Sequence, residues 1–397
     1  MALDVADTRI ILCLNAGSSS LKCSLYRINR EHEKLLAVGR VERIGLEAGD
    51  LWWEDAGQQR LVAIKKCFPD QVQAAGAILD TLDQLNLAKP AAVGHRIVHG
   101  GSKYNAPRLV TPELIAYLRS ITNLAPLHIP AGLHGIEASI QHFPGLPQVA
   151  CFDTAFHHGM PEVAQRFPLP DDLWRDGVRR YGFHGLSYEY IVEKMGPEAR
   201  GRVIIAHLGN GASLAALRDG KPVDTTMGFT PIGGIVMGTR CGDLDPGVLL
   251  HLVTERGLPA SEVETMVNRR SGLLGISGLC SDMKTLLAER DRHAGAARAV
   301  AMFCYSLRKN IGALAAALGG LDTLVFTGGI GERAAAVRSE TCDGLEHLGI
   351  VIDEESNRLH AETINSPAGP CSVKVIPTSE DLMIARHTSR VMLARPE

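Results

Sequence analysis

Two short stretches of the chain repeat one arrangement of small and hydroxyl-bearing residues that could bind phosphate. The first, Asn15-Ala-Gly-Ser-Ser-Ser-Leu-Lys22, follows the apolar segment 10–14, and the second, Leu208-Gly-Asn-Gly-Ala-Ser-Leu214, follows the apolar segment 203–207. Such a turn lets backbone N–H groups and short hydroxyls approach a phosphate closely, because no bulky Cβ stands in the way. Two copies, half a chain apart, predict a duplicated protein that binds a polyphosphate between two similar domains. Two ordinary hairpins rich in glycine and serine are the alternative interpretation.

Cationic or hydrogen-bond-donating side chains recur where predicted strands end. They are Arg96, His128, His184 and Arg240. Transfer of a phosphoryl group to an anionic acceptor requires such groups, since charge spreads over the equatorial oxygens in the transition state and fixed donors stabilise it. Structural alternatives exist for two of them. Arg240 could form an internal ion pair with the nearby Asp243 or Asp245, and His184 could be a structural histidine in a turn.

Two further glycine patterns bear on how a nucleotide would be bound. The Walker sequence Gly-x4-Gly-Lys-Ser/Thr does not occur, because Gly220-Lys221 is followed by proline and lacks the upstream glycine. Gly329-Ile-Gly331-Glu-Arg-Ala334 follows a predicted strand and imitates the dinucleotide fingerprint, but it lies late in the chain, inside the second repeat. We interpret it as a turn that holds the adenosine of a mononucleotide whose phosphates contact the two hairpins.

The composition is typical of a folded protein of about two to three domains. With 397 residues, of which 45% are hydrophobic and 21% charged, both halves can build a core. A net charge of −3 with mixed signs argues against nucleic acid or an anionic membrane as a partner. The nine scattered cysteines include no Cys-x-x-Cys pair, which is typical of a reducing compartment. Residues 1–7 are acidic and the apolar run after them is too short for a signal peptide or a membrane span, so we expect a soluble cytoplasmic protein.

Strands alternate with helices along the chain, which predicts an α/β fold. Apolar residues recur at helical spacing over 72–86, Thr111-Pro112 is typical of an N-cap followed by proline, and an alanine-rich helix is predicted over 294–318. Ser261-Glu-Val-Glu264 matches a capping box. The strand-and-hairpin pattern restarts in the second half, so we expect the domain change between residues 150 and 200. Further strands are predicted at 149–152, 321–326 and 373–376.

Eight blocks of the chain resemble, in order, the signature sequences of the acetate kinase family. The blocks are His95-Arg-Ile-Val-His-Gly-Gly101, Leu124-Ala-Pro-Leu-His128, Phe152-Asp-Thr-Ala-Phe-His157, Arg180-Tyr-Gly-Phe-His-Gly185, His207-Leu-Gly-Asn-Gly-Ala-Ser213, Met227-Gly-Phe-Thr-Pro231, Met237-Gly-Thr-Arg240 and Phe326-Thr-Gly-Gly-Ile-Gly-Glu332. The resemblance extends from Asn15 to Glu380, which is nearly the whole chain, and it is therefore highly specific.

This resemblance implies an actin-like, sugar-kinase-like fold in which two duplicated ribonuclease-H-type domains are hinged around a nucleotide cleft. It implies an N-terminal domain of residues 1–150 with 382–397 and a C-terminal, nucleotide-binding domain of residues 151–381. The implied activity is that of a homodimeric ATP:acetate phosphotransferase, which makes acetyl phosphate and ADP by direct in-line displacement with Mg²⁺, or Mn²⁺ as a substitute.

Two other functions remain open at the level of the sequence. One is a kinase of the same family that acts on propionate or another short-chain carboxylate. The other is an actin-like nucleotide switch or assembly protein without an acceptor. The switch is disfavoured, because it would need the phosphate hairpins but not Arg96, His128 and a small apolar pocket.

The resemblance also implies a role for each matched residue. Asp153, His184 and Arg240 would be catalytic, and Asn15 and Glu380 would hold the metal ion. The acceptor would contact Arg96, Val98, Leu127, His128, Phe183 and Pro231, with its carboxylate on Arg96. ATP would contact Lys22, His207, Leu208, Gly209, Asn210, Gly211, Asp282, Met283, Lys284, Gly329, Ile330, Gly331, Glu332 and Arg333.

The role of Asp153 needs a physical restriction. A carboxylate acceptor is already ionised at pH 7, since free carboxyl groups titrate near pH 4, so it has no proton for a base to remove. We therefore expect Asp153 to orient the metal ion or Arg240, and capping of a strand end is its structural alternative.

The chain departs from the family's pattern in four places near the matched blocks. Ile129 stands where Asn is usual, and Leu186-Ser-Tyr188 stands where Thr-Ser-His is usual. Ile232-Gly-Gly234 stands where Leu-Glu-Gly is usual, and Lys284 where Arg is common. None of them replaces a residue assigned to chemistry.

Overall fold

The chain folds into two compact units. The computed structural model describes residues 8–17, 19–29, 31–126 and 128–394. The first unit contains the chain up to Ala155 and the C-terminal segment from Ser379, and the second contains Phe156–Thr378. Each unit has one mixed sheet and several helices, so the predicted α/β class is confirmed.

The first unit is built on one large sheet. Its strands are β1 (Arg9–Ala16), β2 (Ser20–Ile28), β3 (Glu33–Glu42), β4 (Gly49–Asp55), β5 (Arg60–Lys66), β6 (Ala92–Ile97), β7 (Arg108–Leu109) and β8 (Gln148–Phe152). Their order in the sheet is β5-β4-β3-β2-β1-β6-β8-β7. The five strands β1 to β5 are antiparallel to one another in order, whereas β6 is parallel to both β1 and β8. The carboxyl ends of β1, β6 and β8 therefore meet at the same end of the sheet.

Two of the three helices of the first half begin where the sequence predicts. These are α1 (Gln71–Gln84) and α2 (Pro112–Ser120), whereas the third, α3 (Ile129–His142), was not predicted. The Thr111 hydroxyl accepts a hydrogen bond from the N–H of Leu114, which confirms the predicted cap of α2. Ile78 and Leu82 of α1 are buried in one cluster with Leu12 of β1, so the apolar face of the helix covers the sheet.

The second unit repeats the central part of the first. Its strands are β9 (Arg202–Leu208), β10 (Ala212–Arg218), β11 (Lys221–Thr225), β12 (Thr323–Thr327) and β13 (Ser372–Val375), in the order β11-β10-β9-β12-β13. β9, β10 and β11 are antiparallel neighbours, and β12 is parallel to both β9 and β13. The order and the directions match those of β3-β2-β1-β6-β8, as the predicted duplication requires.

Helices connect and flank the strands of the second unit. They are α4 (Glu162–Gln165), α5 (Asp171–Arg175), α6 (Gly185–Met195), α7 (Pro246–Thr254), α8 (Ala260–Arg269), α9 (Gly272–Ser277), α10 (Met283–Glu289), α11 (Ala294–Leu318), α12 (Gly328–Arg333), α13 (Ala335–Cys342) and α14 (Glu354–Arg358). The predicted extent of α11 is confirmed, and Gly319 ends it with a φ of 71°, which favours glycine. The predicted capping box at Ser261 is wrong: α8 already begins at Ala260, after Pro259, whose ring fixes φ at a value that starts the helix earlier.

The last helix, α15 (Glu380–Leu393), belongs to the first unit and packs against β1 and β6. It brings an acidic first turn, Glu380 and Asp381, to the residues around β1. Among the helices of the described residues, none combines the length and the apolar character that crossing a membrane requires.

Candidate active site

Four of the predicted site residues meet in the first unit, where parallel strands end. Asn15 lies near the end of β1, Arg96 near the end of β6, Asp153 directly after β8, and Glu380 begins α15. The Nε and Nη2 atoms of Arg96 donate hydrogen bonds to the Asp153 carboxylate, at 3.0 and 2.6 Å from Oδ2. We call these four residues the Arg96 cluster.

The remaining nitrogen of the guanidinium joins the other two members of the Arg96 cluster. Nη1 of Arg96 donates to Oδ1 of Asn15 over 3.1 Å and lies 3.8 Å from Oε2 of Glu380. Nδ2 of Asn15 in turn donates to Glu380 over 3.5 Å. Arg96 is therefore held from three sides, while 18% of its side chain remains exposed to a ligand.

Burial and charge act against each other in this cluster. Asp153 is completely buried, and burial raises the pKa of its carboxyl, while the charge and hydrogen bonds of Arg96 oppose that shift. Burial lowers the pKa of Arg96, but the charges of Asp153 and Glu380 outweigh it and the net shift is upward. The guanidinium is therefore permanently charged and fixed in orientation. The sequence predicts that Asp153 orients a metal ion or Arg240, whereas in this unit its hydrogen bonds come from Arg96.

Lys22 has a partner that the sequence analysis missed. Its Nζ lies 2.6 Å from Oδ2 of Asp381, and the Ser24 hydroxyl donates to the same oxygen over 2.7 Å. Lys22 and Asn15 face each other across the β1–β2 hairpin. The acidic pair Glu380-Asp381 at a predicted helix start was the signal that could have pointed to this contact.

The predicted acceptor residues are distributed over both units. In the first unit, Val98 follows β6 and is 7% exposed, and His128 is the N-cap of α3. Leu127 lies outside the described residues. In the second unit, Phe183 and Pro231 are buried. The backbone carbonyl of Phe183 contacts Nε2 of His157, and that of Pro231 accepts a hydrogen bond from Nη1 of Arg240.

Two predicted histidines stack on each other in the second unit. His184 precedes α6 with a φ of 58°, a left-handed conformation that is uncommon outside glycine. Its ring lies 4.4 Å from that of His207, which is near the end of β9. Nδ1 of His184 contacts the Ser213 hydroxyl at 2.9 Å, and Nδ1 of His207 contacts the Ser187 hydroxyl at 2.8 Å. Each ring is therefore anchored through Nδ1, and the Nε2 atoms lie on the side of the turn: a Cβ at Gly211 would be 3.3 Å from that of His184, and a Cβ at Gly209 would be 3.8 Å from that of His207.

Arg240 and His184 converge over Gly211, in the turn between β9 and β10. A Cβ at Gly211 would lie 2.8 Å from Nη2 of Arg240 and 3.3 Å from Nε2 of His184. The two acidic neighbours of Arg240 are used elsewhere, since Asp243 accepts from the N–H of Gly234 and Asp245 caps α7. The predicted phosphate turn thus has a guanidinium and an imidazole nitrogen above it, at a position where a Cβ would displace at least one of them.

Gly211→Ala should lower kcat by roughly 10- to 100-fold, because the added methyl must displace Arg240 or His184 from the turn. The melting temperature should change little, since Gly211 has no left-handed φ that alanine would strain. Steady-state kinetics and thermal melting test this. Gly312→Ala, in open space on α11, is the matched control, and equal kinetics for the two variants would contradict the placement of Arg240 and His184.

The predicted nucleotide turn, residues 329–333, is the short helix α12. The Glu332 carboxylate accepts from the N–H groups of Gly328 and Thr378 at 3.0 and 3.2 Å, so it braces the turn itself. Arg338, which the sequence analysis missed, is fully buried, and its Nη1 donates to the carbonyl of Gly331 over 2.8 Å. Burial lowers the pKa of Arg338 to about 10, so it remains charged at neutral pH.

The second predicted nucleotide segment begins α10. Asp282 is its N-cap and accepts from the N–H and the hydroxyl of Thr285, which lowers the pKa of the carboxyl. Met283 is buried and Lys284 is exposed. The structure thus gives Asp282 a capping function, and both Asp282 and Lys284 are exposed.

The donors available to a metal ion are oxygen atoms. No group of three or more His, Cys, Asp or Glu side chains suited to a metal occurs within the described ranges. The Asn15 amide lies beside the Glu380 carboxylate, to which its Nδ2 donates, and its Oδ1, which has two lone pairs, accepts one hydrogen bond from Arg96. That amide oxygen and the carboxylate are the oxygens that could meet an ion. Magnesium is held in this way, by one or two protein oxygens together with water and substrate phosphates. The residues present therefore fit a magnesium ion shared with a nucleotide.

Comparison with known proteins places the chain in a family. The sequence profile of the acetokinase family matches residues 10–386. An acetate kinase of Rhodopseudomonas palustris is 46% identical over 96% of this chain and 98% of its own length, and one of Deinococcus radiodurans is 45% identical over 97% and 98%. The chain belongs to the acetokinase family.

Solved structures agree with this assignment. The crystal structure of Porphyromonas gingivalis acetate kinase matches 97% of this chain and 100% of its own, with a TM-score of 0.85 and 40% identity. A propionate kinase from Francisella tularensis matches 96% and 100%, with a TM-score of 0.89 and 36% identity. The family resemblance read from the motif blocks, and the duplicated α/β fold that it implied, are confirmed.

Proposed function

We propose that this chain transfers the γ-phosphoryl group of ATP reversibly to acetate, giving acetyl phosphate and ADP. The observation that carries the proposal is the Arg96 cluster. A permanently charged guanidinium, fixed by Asp153 and Asn15 yet partly exposed, is suited to bind a small carboxylate. A switch protein that only binds nucleotide has no use for such a group. Membership of the acetokinase family supports the same activity.

The chemistry needs no general base. The acceptor is ionised at neutral pH, so one of its oxygens attacks the γ-phosphorus directly while the bond to the β–γ bridging oxygen breaks and ADP leaves. Arg96 binds and orients the attacking carboxylate. Arg240 and His184 stabilise the charge on the transferring group, since their donors converge over the phosphate turn at Gly211. Asp153 acts by holding Arg96.

The same proposal assigns the nucleotide and its metal ion. Residues 207–211 contact the phosphates, and residues 282–284 and 329–333 surround the nucleoside, with Lys22 on the first unit. Asn15 and Glu380 would hold Mg²⁺, with Mn²⁺ as a substitute. The ion would neutralise phosphate charge when bound with ATP. The buried Arg338 supports this assignment, because it fixes the carbonyl side of the 329–333 turn.

We further propose that the protein is a homodimer in the cytoplasm. On α7, three apolar side chains are 43–64% exposed: Val248, Leu250 and Val253. An exposed apolar helix is typical of an interface, and a second copy of the chain is the partner that the family implies. Light scattering measures the stoichiometry. All nine cysteines are free thiols, which suits a reducing compartment.

The direct test is acceptor-dependent ADP formation. Purified protein with Mg-ATP is assayed without acceptor and with formate, acetate, propionate or butyrate. We expect ADP release to require the carboxylate and to be fastest with acetate. The same rate with and without acceptor would overturn the proposal and would favour a nucleotide-hydrolysing switch.

Propionate is the second candidate acceptor, because the chain is similar throughout to a structure titled a propionate kinase. We expect the side chain of Val98 to limit the length of the acceptor, because it is buried and follows Arg96 by two residues. Burying one methylene is worth roughly 0.8 kcal/mol, and pockets of this kind discriminate by about 1–3 kcal/mol. We therefore expect acetate to be preferred, propionate to be used roughly tenfold less well, and butyrate hardly at all.

Val98→Ala should narrow the difference between acetate and propionate, mainly by lowering the KM for propionate, because alanine releases the space that a longer chain needs. Val41→Ala, in the buried part of β3, is the control for the loss of core volume. It should lower the melting temperature without changing the acceptor preference. A wild-type preference for propionate or butyrate would show that the pocket assignment is wrong and would point to Ile129 and Leu186.

A further inference from the structure

A chain of buried hydroxyl groups ends on the ring of His184. The Tyr188 hydroxyl lies 2.5 Å from Oγ of Ser213, which lies 2.9 Å from Nδ1 of His184. Tyr188 and Ser213 are completely buried, and His184 is 8% exposed. Water therefore has little access to these groups, and their protons must be shared within the chain.

The directions of these hydrogen bonds follow from the proton of Tyr188. Burial raises the pKa of this phenol above its ordinary value, so the hydroxyl stays protonated. A buried O–H without an acceptor is costly, and Oγ of Ser213 is the acceptor in reach. Ser213 must then direct its own proton to Nδ1 of His184. A neutral His184 that accepts at Nδ1 carries its hydrogen on Nε2.

We propose that Tyr188, acting through Ser213, fixes His184 as the Nε2–H tautomer, so that the neutral imidazole donates a hydrogen bond to the transferring phosphoryl group. Nε2 is the nitrogen that lies over Gly211 beside Arg240. The inference rests on the proposed phosphoryl transfer and deepens it. Tyr188 and Ser213 are positioning residues, since they act through His184.

His207, which stacks on His184, has the opposite hydrogen-bond direction at Nδ1. The Ser187 hydroxyl donates to Oγ1 of Thr378, so its oxygen accepts from an Nδ1–H of His207. His207 can therefore gain a proton on Nε2 and keep its existing hydrogen bond. A proton on Nδ1 of His184 would instead leave a hydroxyl of the Tyr188 chain without an acceptor.

The other charged or titratable groups near His184 in the second unit do not replace Tyr188. Arg240 is cationic at every relevant pH and disfavours a second positive charge nearby. His157 contacts the carbonyl of Phe183 and the ring of Tyr188, and burial lowers its pKa to about 4, so it is neutral. Arg240 therefore favours a neutral His184, and the hydroxyl chain acts on its Nδ1.

Tyr188→Phe tests the proposal, because it keeps the ring contacts with Phe156 and His157 and removes one hydroxyl. Ser213 can then accept from Nδ1 as well as donate to it. In a fraction of the molecules, the neutral His184 therefore carries its hydrogen on Nδ1, and the lone pair of Nε2 faces the phosphoryl oxygen. We expect kcat to fall about three- to tenfold above pH 7. The KM values for ATP and acetate should change less than about twofold.

Two further variants sharpen the comparison. Ser213→Ala removes the middle of the chain and should lower kcat more than Tyr188→Phe does. Tyr190→Phe, on the same helix and packed on the same apolar cluster, is the matched control and should keep the wild-type kcat. A purely structural Tyr188 would leave the ¹⁵N signals of both His184 nitrogens unchanged in Tyr188→Phe, and that result would overturn the proposal.

A spectroscopic measurement on the wild-type protein decides the tautomer without relying on activity. The wild-type protein is labelled with ¹⁵N-histidine, and the His184 signals are assigned by comparison with His184→Asn. We expect a protonated Nε2 and an unprotonated Nδ1 at pH 8. A protonated Nδ1 would overturn the tautomer assignment, whereas failure of the proposed function would instead show as ATP turnover that does not depend on an acceptor.

Discussion

Arg240→Ala should lower kcat by roughly 100- to 1,000-fold, while the KM for ATP changes little. The guanidinium lies over the turn at Gly211, and its Nη1 is held by the Pro231 carbonyl. Its contribution should therefore appear when charge develops on the transferring group and not when ATP binds. Initial rates over a range of ATP and acetate concentrations, with thermal melting of the same samples, measure both effects.

A matched arginine separates catalysis from stability in this experiment. Arg290 lies in the same unit and pairs with Glu340 through a partly exposed contact. Arg290→Ala should alter the melting temperature without a comparable loss of kcat. If Arg240→Ala melts earlier but turns over at the wild-type rate when folded, then Arg240 has a structural role only.

Arg96→Met should lower kcat/KM for acetate by roughly 100- to 1,000-fold, since it removes the charged group that binds the acceptor carboxylate. It also leaves the buried carboxylate of Asp153 without the guanidinium that pairs with it. The double variant Arg96→Met/Asp153→Asn should recover most of the lost melting temperature, because both partners of the buried pair are then neutral. It should not recover activity. Full activity in the double variant would contradict the assignment of Arg96 to the acceptor.

The single variant also has a defined pH dependence. Burial already raises the pKa of Asp153, and Arg96 is the group that opposes it, so the folded-state pKa rises further in Arg96→Met. The folded protein then binds a proton that the unfolded chain does not, and stability falls as the pH rises above the ordinary range of an aspartate. The deficit in melting temperature should therefore be larger at pH 8 than at pH 5, because Arg96 keeps the same trend smaller in the wild type.

The sequence was sufficient for the features that depend on strand ends and on local patterns. Arg96 and Asp153 each follow an apolar run, and parallel strands bring such ends together. The helix 294–318 and the Thr111 cap depend on periodicity and on one hydroxyl. The failed capping box at Ser261 shows the limit of local patterns, because a proline two residues earlier starts the helix first.

Pairings between distant side chains could not be predicted. Asp381 lies far along the chain from Lys22, and their contact depends on where α15 packs. The contact of Tyr188 with Ser213 depends on the rotamers of two buried residues on different elements. Arg338 gave no signal at all, since an arginine in a polar helix is ordinarily exposed. The three contacts fix the positions of Lys22, Ser213 and the carbonyl of Gly331.

The most direct test of the central claim is to trap the product. Protein, Mg-ATP and acetate are incubated with hydroxylamine, which converts an acyl phosphate into a hydroxamate, and the hydroxamate and ADP are counted in the same sample. We predict one acetohydroxamate for each ADP in the wild type and almost none in Arg240→Ala. ADP and free phosphate released by the wild type without any hydroxamate would contradict phosphoryl transfer to acetate.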